Sequence, residues 1–158
     1  MSAALAGDDD RWLRRAIELA RHSRDTGKHP FGSLVVAADG RCLAEGINAF
    51  DCDCTGHAEM NAVRAAHALD AKALEGATLY SSAEPCAMCA GAIYWSGIAR
   101  VVYALSETRL LQLTGAHPEN PTLSLPCREV FARGQRAVAV LGPFLEDEAA
   151  RAHEGFWL

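Results

Sequence analysis

The sequence predicts an α/β fold, a three-layer α/β/α sandwich built on a five-stranded mixed sheet. Three features predict it: an amphipathic segment opens the chain, two strand-like segments flank an Asp-Gly turn, and strand-like and helical segments then alternate. Strand, helix and strand in succession are typical of parallel βαβ units, while the hairpin supplies an antiparallel edge. With 158 residues, the chain has the length of one domain, so we expect a single domain over residues 1–158.

The first half of the chain is expected to hold two helices and the hairpin. Gly27 follows the first amphipathic segment as a stop signal, and Asp39-Gly40 is a strong two-residue hairpin turn. We expect residues 1–7 to be disordered. The elements predicted after them are a helix over 8–26, strands over 32–38 and 41–48, a loop over 49–56 and a helix over 57–69.

The second half continues the alternation. Pro85 suits the first turn of a helix, because its missing N–H would be unpaired there in any case. Residues 106–128 contain three prolines and no clear period, so no element is predicted there. The predicted elements are a strand over 77–82, a helix over 85–96, strands over 99–105 and 136–141, and a helix over 146–153.

Charge and composition exclude several classes of partner. The chain has 15 basic and 20 acidic residues and a formal net charge of −5, so nothing in its bulk charge indicates binding to nucleic acid or to an anionic membrane. The N-terminus lacks the pattern of a signal peptide, and no apolar run approaches the length of a membrane span. We therefore expect a soluble, cytoplasmic protein whose six cysteines are thiols or metal ligands.

Two short motifs predict a zinc site. His57-Ala58-Glu59 opens one predicted helix, and Pro85-Cys86-Ala87-Met88-Cys89 opens the next. Together they match the H-x-E and P-C-x-x-C pattern of zinc deaminases, which neither half would indicate alone. Cys86 and Cys89 lie three residues apart and would share a helix face. Three ligands of this kind suit Zn²⁺ and leave its fourth position to a water molecule.

Glu59 is predicted to carry protons rather than to bind the metal. It lies two residues after the histidine, about 200° around an ideal helix, so it should not share the ligand face. It would take a proton from the zinc-bound water and deliver it to the reacting ring and the departing amine. The alternative is a closed, purely structural site with Cys52 or Cys54 as fourth ligand, although the flanking aspartates disfavour thiolates there.

Further motifs surround the zinc pattern: Pro30-Phe31-Gly32, Asn48, the stretch from Glu84 to Trp95, and Arg100-Val-Val-Tyr103. With them the chain resembles the cytidine deaminase superfamily, and within it the bacterial guanine deaminases and the tRNA adenosine deaminases. The resemblance implies a homodimer in which a nucleobase lies over the zinc. It also implies that Asn48 hydrogen-bonds the base and that Phe31 and Trp95 line the pocket.

Several of these residues have a second interpretation. Asn48 also fits the end of a strand, Phe31 fits the core, and the C-terminal Phe156 and Trp157 either close the pocket or pack the last helix. Two acidic residues are further candidates. Glu107 matches an acidic position of the tRNA enzymes and would then face the substrate. Glu119 is the nearest carboxylate to a second acidic residue of the guanine deaminases.

Three functions follow from these residues. The leading one is hydrolytic deamination of a free nucleobase, guanine or a related aminopurine or aminopyrimidine. In it a zinc hydroxide attacks the amino-bearing carbon, Glu59 shuttles the protons and ammonia is released. The second is deamination of adenosine in tRNA, which the tail disfavours because residues 143–158 hold four acidic residues and one arginine. The third is a non-enzymatic zinc-bearing interaction module.

Overall fold

A computed structural model describes residues 4–158, and these form one sheet with helices on both faces. The elements are α1 (Gly7–Asp25), β1 (Gly32–Val36), β2 (Cys42–Ile47), α2 (Ala58–Asp70), β3 (Thr78–Ala83), α3 (Ala87–Ser96), β4 (Arg100–Leu105), α4 (Glu107–Thr114), α5 (Cys127–Ala132), β5 (Ala139–Leu141) and α6 (Glu146–Ala150). Short 3₁₀ turns, Ala71–Leu74 and Arg151–His153, follow α2 and α6. The disorder expected over residues 1–7 falls partly on Met1–Ala3, outside the described residues, whereas Gly7 already begins α1.

The sheet has the strand order β2-β1-β3-β4-β5. β1 pairs antiparallel with both β2 and β3, while β3, β4 and β5 run parallel. The hairpin lies where the sequence predicts it, but its loop has three residues rather than two: the N–H of Ala37 donates to the carbonyl of Arg41 at 2.8 Å, so residues 38–40 form the loop. Gly40 ends this loop with a φ of +91°, which a side chain disfavours. The predicted five-stranded mixed sheet is therefore confirmed.

Two hydrophobic layers enclose the sheet because successive strand residues point to opposite faces. Leu79 and Val101 pack under α2, α3 and α5, whereas their neighbours Tyr80 and Val102 pack under α1, α4 and α6. All four side chains are at most 4% exposed. The predicted three-layer sandwich follows directly from this alternation. Within residues 4–158, no helix combines the length and the apolar character needed to cross a membrane.

Gly46 allows α2 to approach the sheet closely. A Cβ built on this residue would lie 2.3 Å from the carbonyl oxygen of Ala58 and 2.7 Å from the amide nitrogen of Ala62, which no side chain tolerates. The first turn of α2 consequently packs directly on β2. This contact fixes the position of the helix start that carries His57 and Glu59.

The structure corrects the predicted elements in the second half of the chain. Residues 107–114 form α4, where none was predicted, because Ser106 caps the helix by accepting a hydrogen bond from the Arg109 N–H at 3.2 Å. A helix of two turns is too short to show a clear period. α3 begins at Ala87 rather than at Pro85, and β5 is three residues long rather than six. Arg136, predicted to start that strand, instead donates to the carbonyl of Ile98 at 2.7 Å.

Candidate zinc site and substrate cavity

The three predicted metal ligands lie together at the starts of two helices. His57 is the N-cap residue of α2, Cys86 is the N-cap residue of α3, and Cys89 follows in the first turn of α3. The Nδ1 atom of His57 lies 3.5 Å from the Cys86 Sγ and 3.6 Å from the Cys89 Sγ. The three donor atoms all lie within 4.8 Å of one another, so a single ion can contact all of them.

The chemistry of this donor set fits zinc. Two thiols and one imidazole nitrogen are the ligands that zinc prefers, and three protein ligands leave a position for a water or a substrate. Hydrogen bonding from Cys89, together with the nearby His57, lowers the pKa of Cys86 to about 4 against the opposing effect of burial. The thiolate that binds metals is therefore already favoured at Cys86, where the positive end of α3 also stabilises it.

The structure does not supply the fourth ligand of a closed, structural site. Cys52 and Cys54, the two candidates for that role, are both exposed. Within residues 4–158, the metal-binding group comprises His57, Cys86 and Cys89 and includes neither of the two. The remaining coordination position of the ion is thus available to a small molecule, as in catalytic zinc sites.

Glu59 lies beside the ligands in the first turn of α2, with only 6% of its surface exposed. The Ser81 hydroxyl, from β3, donates to its Oε1 at 2.9 Å, and the Cys89 thiol donates to its Oε2 at 3.6 Å. Burial raises the pKa of Glu59 above its ordinary value, and the negative charge of Cys86 raises it further. A carboxyl group held in this way is well suited to accept a proton and to release it again.

A cavity of about 310 Å³ opens onto His57, Cys86 and Glu59. Its walls come from the residues before β1, the loop after β2, the start of α3, the start of α4, and residues 119–123 of the α4–α5 connection. The described lining contains four glutamates, two asparagines, two histidines and two phenylalanines, but no lysine or arginine. The cavity is thus acidic and aromatic, and its size is that of a pocket for a small molecule.

Asn48 and Phe31, predicted to contact the substrate, both line this cavity. Asn48 follows the last residue of β2 and is 4% exposed; its Oδ1 accepts a hydrogen bond from the Phe50 N–H at 2.9 Å. With its Oδ1 occupied in this way, the amide NH₂ of Asn48, which makes no hydrogen bond within residues 4–158, is the group left to donate. Phe31 packs its ring against His153 and Trp157, so it contributes both to the cavity wall and to the core behind it.

Glu107 and Glu119 also line the cavity. Burial, followed by the neighbouring Glu84 carboxylate, raises the pKa of Glu107 to about 7, and its Oε2 is buried without a hydrogen-bond partner in the described chain. Glu119 lies 3.0 Å from the Nε2 of His29, which itself stacks on Phe50 with ring centroids 5.1 Å apart. The contact between Glu119 and His29 therefore joins the α4–α5 connection to the segment before β1, on the other side of the cavity.

Trp95, predicted to line the pocket, lies outside the cavity of the single chain. Its side chain is 85% exposed and contacts the Tyr94 ring edge-on. The buried face of α3 carries Cys89 and Ile93, and Trp95 lies two residues beyond Ile93, about 200° around the helix. The helix geometry that directs Cys89 towards the metal thus directs Trp95 towards solvent.

Trp157 packs against the core, and neither Phe156 nor Trp157 lines the cavity of the single chain. Trp157 is 8% exposed, and its Nε1 donates to the Nδ1 of His153 at 3.0 Å. Its ring lies 5.1 Å from that of His29 and 6.3 Å from that of Phe31, both of which line the cavity. In the single chain Trp157 therefore packs outside the cavity, where it contacts two residues of the cavity wall, His29 and Phe31.

Three features of the cavity were not predicted: His29, Phe50 and the apolar part of residues 119–123. His29 directly precedes the Pro30-Phe31 motif, and this position next to a predicted pocket residue is the sequence signal that could have identified it. Phe50 lies in a loop, and its contribution depends on the stack with His29. The place of residues 119–123 could not be predicted from a local sequence pattern, because the contact between Glu119 and His29 brings them to the cavity.

One histidine and two cysteines at the starts of neighbouring helices, with a buried glutamate beside them, are the arrangement found in the class of zinc-dependent deaminases. The model of the cytidine and deoxycytidylate deaminase zinc-binding region matches residues 6–105. The chain therefore belongs to this family, whose cofactor is zinc.

Relatives within the family differ in their substrates. The chain is 41% identical over 157 residues to a probable cytosine deaminase of Schizosaccharomyces pombe, covering 99% of this chain and 96% of that protein. It is 44% identical over 101 residues to the guanine deaminase of Bacillus subtilis, covering 61% of this chain and 64% of that enzyme. A solved structure from a study of A-to-I editing by tRNA:A34 deaminases has a TM-score of 0.68 and 31% identity, covering 90% of this chain and 99% of that one.

Proposed function

We propose that this protein hydrolyses the amino group of a free nucleobase, with Glu59 as the proton carrier. The observation that supports this is that the described lining of the cavity contains no lysine or arginine. Nucleotides and RNA bring phosphate groups, which proteins bind with arginine, lysine or backbone N–H groups. A neutral base needs only apolar walls and a few hydrogen-bonding groups, and this cavity offers both.

The reaction adds water to the amino-bearing ring carbon and expels ammonia, leaving an oxo base. Zinc held by His57, Cys86 and Cys89 would supply the nucleophile, because it would lower the pKa of a coordinated water to about 7. Glu59 takes up the proton of that water, transfers it to the ring nitrogen beside the reacting carbon, and then assists protonation of the leaving amine. Its burial and the hydrogen bond from Ser81 hold the carboxyl in one position through these transfers.

Asn48 and the aromatic walls orient the base. The free NH₂ of Asn48 donates to a ring carbonyl oxygen, a group that cytosine and guanine share. Phe31 and Phe50 provide apolar surfaces for the ring. Glu107, with a pKa of about 7, is able to donate or accept a hydrogen bond at neutral pH, and we assign it to a polar edge of the substrate.

Cytosine is the first base to test and guanine the second. The match to the cytosine deaminase relative spans 157 residues, so it includes the C-terminal third that contributes Glu107 and residues 119–123 to the cavity. The match to the guanine deaminase relative covers 61% of the chain at a similar identity. The guanine preference expected from the motifs around the zinc ligands therefore stays a prediction, ranked below cytosine.

Deamination of adenosine in tRNA is the second candidate function, favoured by the similarity to the solved structure related to tRNA:A34 editing. The acidic cavity and the acidic C-terminal tail argue against it, because an RNA-binding surface should be basic. We also propose a homodimer, as the resemblance implies, and the highly exposed Trp95 on α3 is a residue that a second copy would cover.

Ammonia release distinguishes these possibilities. Zinc-loaded protein is incubated with cytosine, guanine, isoguanine, adenine, cytidine, deoxycytidylate and a tRNA anticodon stem, with the Glu59→Gln variant as the blank. We expect turnover of a free base that the variant loses. Turnover of deoxycytidylate in preference to every free base would contradict the charge argument, and activity on RNA alone would establish the second candidate function.

A further inference from the structure

Glu84 lies between the last residue of β3 and the ligand Cys86, and its two carboxylate oxygens bind two different helices. Its Oε1 accepts a hydrogen bond from the backbone N–H of Glu107 at 3.2 Å, and its Oε2 accepts one from the backbone N–H of Cys127 at 3.1 Å. Glu107 is the first residue of α4 and Cys127 is the first residue of α5. One side chain thus joins the metal-ligand loop to two helix starts.

Both N–H groups need such a partner. The first amides of a helix have no acceptor within the helix, and a side chain must satisfy them where water cannot. At α5 the N-cap residue is Pro126, which has no side-chain acceptor, and at α4 the Ser106 hydroxyl is already bonded to the Arg109 N–H. A carboxylate is the strongest available acceptor, and the positive ends of both helices favour its charge.

We propose that Glu84 is a positioning residue that sets the place of Glu107 in the cavity. This inference rests on the proposed function, in which Glu107 contacts the substrate. Glu84 fixes the backbone of Glu107 relative to Cys86, and the metal is held by Cys86. The Glu84 side chain therefore links the ligand loop to the start of α4, in addition to the 2.8 Å hydrogen bond from the Glu84 backbone N–H to the Leu105 carbonyl, and its bond to Cys127 links the same loop to α5.

The Glu84→Gln variant tests this arrangement because it keeps the size of the side chain. An amide has only one acceptor oxygen, so one of the two N–H bonds is lost and an NH₂ group faces a donor. Asp70→Asn is the matched control: the Asp70 carboxylate accepts from the Ala73 N–H at 3.2 Å and caps the 3₁₀ turn Ala71–Leu74, and Asp70 does not line the cavity.

The first measurement is amide hydrogen exchange, which does not depend on activity. In Glu84→Gln we expect the N–H of Glu107 to exchange about tenfold faster or more, the effect of losing a hydrogen bond to a charged group. The Asp70→Asn control should leave the Glu107 and Cys127 amides unchanged. Unchanged exchange at Glu107 in Glu84→Gln, with or without faster exchange at Cys127, would overturn the proposal.

The second measurement is a double-mutant cycle on kcat/KM with Glu84→Gln, Glu107→Gln and both together. If Glu84 acts through Glu107, the roughly tenfold or larger loss caused by Glu84→Gln should fall below about twofold when Glu107 is already replaced. Additive losses, or loss of bound zinc in Glu84→Gln, would show a different role and refute the inference. If the wild-type protein turns over no base, the proposed function fails, while the exchange data still decide the structural link.

Discussion

Replacing Glu59 by glutamine removes a proton carrier with little change in shape. Glutamine has the volume of glutamate, and its carbonyl oxygen can still accept the 2.9 Å hydrogen bond from the Ser81 hydroxyl. The NH₂ group then faces the Cys89 sulfur, which is 3.6 Å from the carboxylate oxygen that it replaces and can accept a weak hydrogen bond. Burial already disfavours the charged form of Glu59, so we expect a neutral amide to leave the free energy of unfolding close to that of the wild type.

The catalytic loss should be large. A positioned acid–base group contributes about 10²- to 10⁴-fold in rate, which is about 2.7–5.5 kcal/mol of activation free energy at about 1.36 kcal/mol per decade. Ser81→Ala is the graded control, because it keeps the carboxyl and removes one neutral hydrogen bond. We expect that variant to lose about tenfold or less.

The assay combines ammonia release under single-turnover conditions with zinc content and a urea unfolding curve. We expect Glu59→Gln to keep one zinc per chain and near-native stability while the single-turnover rate constant falls by at least about 100-fold. A rate near that of the wild type would refute the assignment of Glu59 as proton carrier. Loss of zinc from the variant would instead make Glu59 part of the metal site, contrary to its place outside the ligand group.

Three further predictions concern the metal, the core and the surface. Cys86→Ser should lower bound zinc and activity together, as measured by metal analysis and ammonia release. The helical signal in circular dichroism should be unchanged, because the two hydrophobic layers do not include Cys86. Asp9→Ala should cost about 2–3 kcal/mol of unfolding free energy in urea, since it removes the hydrogen bonds to Arg100 and Tyr80. Hydrogen bonding to Arg100 lowers the pKa of Asp9 in the folded protein. The stabilisation by Asp9 is therefore complete above the pKa of Asp in the unfolded chain, about 4, and should be lost as the pH falls through the lower pKa of the folded protein. A difference in unfolding free energy between wild type and Asp9→Ala that does not change with pH would contradict this. Trp95→Ser should leave the cavity intact and weaken self-association in sedimentation, and an unchanged dimer would exclude this residue from the interface.

The zinc ligands and Glu59 could be predicted from the sequence because their chemistry is local. His57 with Glu59, and Cys86 with Cys89, are spaced within one helical turn, and the N-terminal turns that hold them are specified by nearby residues. The hairpin and the alternation of strands and helices are likewise local patterns, and they imply the mixed sheet.

The cavity wall could not be predicted in this way. Trp95 follows the ligand motif by only six residues, yet the turn of α3 directs it to solvent. Glu119 lies in a segment without a period and reaches the cavity through its contact with His29, 90 residues away in sequence. Such contacts depend on how separate elements pack, which no local spacing encodes.

The sequence alone determined the metal, the residues placed to hold it and the class of sheet, because short local motifs and the alternation of strands and helices specify them. The role of Glu59 as proton carrier stays a prediction from the same motifs. The tertiary structure decided which carboxylates and aromatic rings surround the substrate. It also showed that Glu84 joins the ligand loop to α4 and α5. The physical reason is that a substrate cavity is formed between elements. The groups that hydrogen-bond the helix-start amides of α4 and α5, and the rings that stack along the cavity wall, come from segments distant in the chain.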